Sequence, residues 1–331
     1  VYAAAGRYVL AGRDSTSLRA LCERLRMRLL ARMQSGPLVR KGIPEALVLG
    51  WRADVDRAVS DGFRDAGIAH LLAVSGLHVG LVAWMVGGLL VWLGDDRRGR
   101  TLKGVCRLVA VWGFALLTGL APSTLRAALM FSLFIVSDIA GRRTERLNLL
   151  AAAAIAMLLA DPMLLYDVGW RLSFSAVGGI LLAMPAIVRL DRWIGRPAAL
   201  STAATLATLP VVLCTFHRFP VYFLILNVLL VPYAWVLLAL SFLYLLVPGT
   251  ATAAVLDAVL TAVEWIAAGV RQLPGAVVEN IGAESWQVAV SAVVALLVLS
   301  LPRIVLAARR SADKRPVDRG LALGGKEGIG L

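Results

Sequence analysis

From residue 68 onward the chain is a succession of long apolar runs separated by short polar loops. Nine runs can be marked, at 68–93, 104–120, 124–140, 147–160, 163–185, 198–216, 219–247, 251–273 and 284–307. Each is near the roughly 20 residues that a helix needs to cross a bilayer. The pattern predicts an all-α polytopic membrane protein with about nine transmembrane helices, some short or broken. The run at 147–160 is short, and the run at 251–273 carries Asp257, Glu264 and Arg271. The run at 219–247 is interrupted by Pro232, which leaves one kinked span or two half-helices. Ahead of the runs the apolar positions recur at helical spacing instead. Ser17 is placed to cap a helix whose Leu18, Leu21, Cys22, Leu25, Leu29 and Met33 share a face, with Arg19, Arg24, Arg26, Arg28 and Arg32 mostly opposite. A basic amphipathic helix of this kind suits the membrane interface. Two short helices are expected over 44–66, with Pro44 in a first turn and Val55, Val59 and Phe63 on one face. The organisation read from these patterns is a leading piece over 1–16, interfacial helices over 17–66, a transmembrane domain over 67–308 and a basic tail over 309–331.

Composition sharpens the class. The chain is 59% hydrophobic and only 17% charged, where soluble domains carry about 25% charged residues. A soluble globule of this size cannot bury that much apolar surface. The net charge of +13 could signify a nucleic-acid partner or membrane topology, and the positions of the basic residues decide. Seventeen of the 34 lie in loops 94–103, 141–147 and 186–197 and in the tail from 302, whereas the alternate loops hold only Arg218. The positive-inside rule then places the N-terminal segment outside and the tail in the cytoplasm. The charge is mainly an orientation signal.

Ionisable groups at bilayer depth cost about 2.5 kcal/mol or more, so each needs a partner or a watery cavity. Four places carry ionisable or other polar groups of this kind. On a regular helix Ser75 and His78 share a face, with His70 two turns above, and together they form a polar wall. Pro122 ends one helix and Ser123 or Thr124 caps the next, which puts Arg126 in a first turn beside free N–H groups, an arrangement suited to an anion. Asp167 and Arg171 are four apart and can pair on one face. Asn227 lies near Pro232 and can bond to carbonyls that the proline frees. Under the topology above, His70, Arg126 and Asp167 all fall near outer helix ends, as if lining a vestibule open to the outside.

The string AGIAHLLAVSGLHVGL resembles the signature of the ComEC-type competence membrane proteins. The resemblance continues in family order through LTGLAPSTLRAALMF, DPMLLYDVGWRLSFSAVGGILL, TLPVVLCTFHRFP and LNVLLVPYAW, and covers roughly residues 40–300. It implies a polytopic channel in the cytoplasmic membrane that passes single-stranded DNA inward, working with an external DNA receptor and a cytoplasmic translocase. His70, Ser75, His78, Arg126, Asp167, Arg171 and Asn227 fall within its motifs. Many members also carry an oligonucleotide-binding-like domain near the N-terminus, of which residues 1–12 resemble a last strand. Many carry a metallo-β-lactamase-like nuclease as well, whose His/Asp cluster has no counterpart here after His217. A channel rather than an enzyme is therefore expected.

Two other readings compete. A small-molecule or lipid transporter fits the same hydropathy. An intramembrane serine hydrolase would use Ser75 with His78 as base, but the glycine two before the serine is missing and nothing in the sequence is placed to orient the histidine. No cofactor or metal is expected. His70 and His78 lack ligand spacing, and no phosphate-binding glycine loop is present.

Overall fold

The computed structural model describes residues 18–65, 67–72, 74–94, 96–141, 144–217, 219–220, 222–271, 277–278 and 285–313. The expected leading piece at 1–16, with the cap at Ser17, and most of the basic tail lie outside these residues. What is described is almost entirely helical. The sole β pairing among the described residues joins β1 (Phe219–Pro220) antiparallel to β2 (Val277–Val278).

Three helices precede the apolar runs: α1 (Leu18–Ser35), α2 (Gly42–Leu49) and α3 (Arg57–Asp65). Pro44 occupies the first turn of α2, where its missing N–H costs nothing. The α3 face predicted from Val55, Val59 and Phe63 does turn inward, with Phe63 3% exposed. The stripe predicted on α1 divides instead. Leu30 and Met33 are buried, whereas Leu21 and Leu25 stay about half exposed, at 56% and 49%. The reason is that α1 docks from its middle onward, where Arg26 reaches the Leu49 carbonyl (2.8 Å) and Arg32 the Leu246 carbonyl (2.7 Å).

The nine apolar runs fall on ten described helices, the first run on two: α4 (Ala69–Leu72) with α5 (Gly76–Leu89), then α6 (Arg97–Leu117), α7 (Pro122–Ile139), α8 (Arg146–Ala160), α9 (Val168–Ile194), α10 (Arg196–Phe216), α11 (Phe223–Leu246), α12 (Thr250–Arg271) and α13 (Ser285–Asp313). Among the described residues, four helices are long and apolar enough to cross a membrane: Pro122–Ile139, Val168–Val188, Arg196–Phe216 and Thr250–Gly269. The segments Gly76–Leu89, Arg146–Ala160, Tyr233–Leu246 and Val290–Val305 are apolar but shorter. The first run is broken: α4 stops at Leu72, and α5 starts afresh at Gly76. By contrast, α11 runs unbroken through Pro232, so 219–247 is one helix and not two halves. Outward faces remain apolar, as Val293, Leu297 and Leu301 on α13 show at 54–56% exposure. Surfaces of that kind suit lipid rather than water.

Among the described residues the interior has four hydrophobic clusters. The largest joins the N-terminal helices to α11 and α12 through Leu38, Leu47, Val48, Leu230, Leu238 and Leu256. A second packs α5, α6 and α7 around Val79, Val111, Ala115 and Ala128. The third sits between α9, α10 and α13, where Gly179 lets α9 approach α10; a Cβ there would stand 2.3 Å from the Ala207 Cβ. Small residues at such crossings are how membrane helices gain packing without a hydrophobic drive between them. The fourth holds α8 against α7 and α9 through Met130, Leu150 and Ala153.

Candidate functional site

The polar residues singled out in the sequence gather around the first turns of α7. The α6–α7 turn is made by two left-handed residues, Gly119 (φ 75°) and Leu120 (φ 53°). That reversal brings Thr118 and Thr124 together, 3.4 Å apart between hydroxyl oxygens and both buried. Ser123 donates to the Val74 carbonyl (2.7 Å), which pins the start of α7 to the break between α4 and α5.

At that break Ser75 and His78 do meet, but as a helix cap. Ser75 is the N-cap of α5. Its backbone N–H donates to His78 Nδ1 (3.1 Å), and its Oγ lies 3.0 Å from the same nitrogen. The expected continuous helix is thus replaced by a capped restart, since a free N-terminus needs its N–H groups satisfied. With Nδ1 accepting, a neutral ring carries its proton on Nε2, which is buried without a partner among the described residues. No third residue orients the ring among the described residues.

On the other side of α7, Arg126 is 7% exposed by its side chain and is already engaged. Its Nη1 lies 3.3 Å from Asp167 Oδ1, and its Nε donates to Ser173 Oγ at 3.3 Å. Asp167 is also the N-cap of α9, accepting from the Trp170 N–H at 2.6 Å. Asp167 therefore pairs across helices with Arg126, not along its own helix with Arg171. The cap position explains this. An N-cap side chain folds over the helix end toward N–H groups and does not run down the face to position i+4. Arg171 instead turns back, donating to the Leu165 carbonyl (2.6 Å) and lying 5.8 Å over the Tyr166 ring. Gly169 makes room for the pair, because a Cβ there would stand 2.8 Å from an Arg126 Nη atom. Ser173 and Gly169 were not singled out from sequence. Their signal was the four-residue spacing that puts both on one α9 face within the first two turns after the cap.

His70 and Asn227 do not join this group. His70 sits on α4 with its side chain exposed. Asn227 lies on α11 with Oδ1 buried and unpartnered among the described residues.

Of three carboxylates outside the predicted set, two are satisfied by long-range partners and the third, Glu45, has no hydrogen bond among the described residues. Asp257 on α12 accepts the Val39 and Arg40 backbone N–H groups, each at 3.1 Å, and Glu264 pairs with Arg40 at 3.0 Å. The acids that looked costly in the 251–273 run are thus satisfied by the N-terminal segment. Glu45 is fully buried in α2 with neither carboxylate oxygen hydrogen-bonded. Burial and the nearby Asp54 carboxylate push its pKa up to about 7, against a lesser opposing pull from Gln34 and Lys41. A lone glutamate in the apolar octet GIPEALVL was its sequence signal.

No group of three or more His, Cys, Asp or Glu side chains suited to a metal occurs among the described residues.

Apolar outer faces, small-residue crossings and buried paired charges define an all-helical membrane protein. The chain belongs to the competence protein family, whose model matches residues 47–304. It is 31% identical over 192 residues to ComE operon protein 3 of Bacillus subtilis, covering 58% of this chain and 24% of that protein. It is 30% identical over 216 residues to Competence protein ComA of Neisseria gonorrhoeae (62% and 30%). It is 32% identical over 191 residues to Recombination protein 2 of Haemophilus influenzae (56% and 23%). These matches span about a quarter to a third of the length of those relatives. No solved structure matches.

Proposed function

We propose that this chain is the membrane-embedded channel segment through which single-stranded DNA crosses the cytoplasmic membrane during natural transformation. The observation that carries the reading is the family match over residues 47–304, with relatives named for competence. In this reading the four long apolar helices and their shorter apolar neighbours supply the crossings, with the basic loops toward the cytoplasm. An external DNA receptor delivers the strand, and a cytoplasmic translocase draws it in.

The Arg126–Asp167–Ser173 group lies at the outer end of this bundle. Its part is to hold α7 against α9 and to keep one buried cation near the entrance. Sparse positive charge suits transport, because a dense basic wall would retain the phosphate backbone rather than pass it. The test is uptake of labelled DNA in a transformable host that lacks its own family member. The chain is expected to restore uptake and Arg126→Ala to abolish it, with membrane insertion unchanged. Failure of the unaltered chain to restore uptake overturns the channel reading. Normal uptake by the variant removes Arg126 from the pathway.

A further inference from the structure

At the opposite ends of α5, α6 and α7 from the Arg126 group lies a cavity of about 380 Å³. Arg100, Lys103 and Arg107 line it from α6, at i, i+3 and i+7, so one helix face presents three cations. Val91, Ile135 and Ile139 make its apolar wall. The single carboxylate of the lining, Asp138, is held by Arg146 at 2.8 Å. The deepest cation is Arg107, whose Nε is buried with no hydrogen-bond partner among the described residues. A buried guanidinium nitrogen without an acceptor is costly, and an anion in the cavity would satisfy it. Gly87 on α5 creates the space. A Cβ there would stand 2.3 Å from an Arg107 Nη atom and 2.7 Å from Nε, so only glycine lets the guanidinium lie flat across α5.

We infer that this cavity binds the headgroup of an anionic phospholipid. The guanidinium of Arg107 takes the phosphodiester, and an acyl chain follows the apolar wall. Two features favour lipid over a nucleic-acid phosphate. The cavity opens beside outward faces that are apolar, with Val91 76%, Trp92 78%, Leu102 51% and Val105 46% exposed. And no residue of the lining is aromatic, so no base could stack within the cavity. Basic pockets between transmembrane helices at the membrane face marked by basic loops suit such headgroups, and the fork of an arginine matches two phosphate oxygens at once.

The test is a titration of the purified full chain in mild detergent with phosphatidylglycerol or phosphatidylcholine, read as bound lipid by native mass spectrometry. Phosphatidylglycerol is expected to bind saturably and in preference to phosphatidylcholine. Arg107→Gln is expected to weaken it about tenfold or more, the usual share of a charge-assisted hydrogen bond. Gly87→Ala keeps every charge but evicts the guanidinium, and is expected to weaken binding in the same way. It decides the matter if Arg107→Gln does not fold, as judged by thermal unfolding in phosphatidylcholine alone. Unchanged phosphatidylglycerol binding in the folded variants overturns the inference. So does displacement of the lipid by inorganic phosphate at equal concentration, which would mark a simple anion site. So does displacement by a single-stranded oligonucleotide whose own binding is lost in Arg107→Gln, which would mark a DNA contact.

Discussion

Asp167 does two things at once, and its variants separate them. It caps α9 through the Trp170 N–H and neutralises Arg126 across the α7–α9 contact. Loss of an N-cap costs about 1 kcal/mol. Stranding one partner of a fully buried pair costs roughly 3–5 kcal/mol. Here the Arg126 side chain is 7% exposed but that of Asp167 is 47% exposed, so solvent screens the pair and about 2 kcal/mol is the fair share. Asp167→Ala removes both contributions and is expected to cost about 3 kcal/mol. Asp167→Asn keeps a capping oxygen and is expected to cost about 2 kcal/mol, all from the charge. Arg126→Gln removes the reason for the charge, so in its background Asp167→Asn is expected to be nearly neutral. The assay is thermal unfolding in detergent followed by intrinsic fluorescence, for which the chain supplies nine tryptophans. Asp167→Ala is expected to shift the midpoint by on the order of 5 °C. If Asp167→Asn costs the same with and without Arg126, the two residues are uncoupled and the reasoning fails.

Two further outcomes are expected. Glu45 has a folded-state pKa of about 7 against 4.5 for the free group, so between those values the folded chain holds more protons than the unfolded one. Stability from this group is then present below pH 4.5, falls as pH rises through 7, and amounts to about 3 kcal/mol. Glu45→Gln is expected to remove that slope, and parallel pH profiles for the two proteins would refute it. Asp257→Ala frees the Val39 and Arg40 N–H groups. Their amide hydrogen exchange is expected to speed up roughly tenfold or more, with little change in the buried segments of α9, and unchanged exchange would show that the segment is held by other contacts.

Much of this architecture is legible locally. Hydropathy marks nine apolar segments because a bilayer or a core demands them, but the first is split in two and only four of the described helices are long and apolar enough to cross a membrane. Pro44 and Pro122 mark first turns, and Val59 and Phe63 mark a buried face, because those signals act within one or two turns. The candidate site was only half legible. Ser75, His78, Arg126 and Asp167 were chosen for the right property, polarity where apolar residues dominate. Helical spacing joined Ser75 to His78, which do meet, but as a cap, and it joined Asp167 to Arg171, which failed because Asp167 caps α9 and pairs with Arg126.

What the sequence by itself determined was the helical class, the rough placement of the apolar segments and most of the residues that required a partner. Tertiary structure decided who the partners are. Asp167 could reach Arg171 along its helix or Arg126 across it, and the choice turned on its place at the cap and on the space above Gly169. Asp257 and Glu264 looked like charges stranded in a span until residues 39 and 40 were folded onto them from the other end of the chain. The physical reason is the same in each case. Burial is dictated by composition over short windows, whereas a buried charge is satisfied by whichever donor the packing of distant helices brings within 3 Å or so.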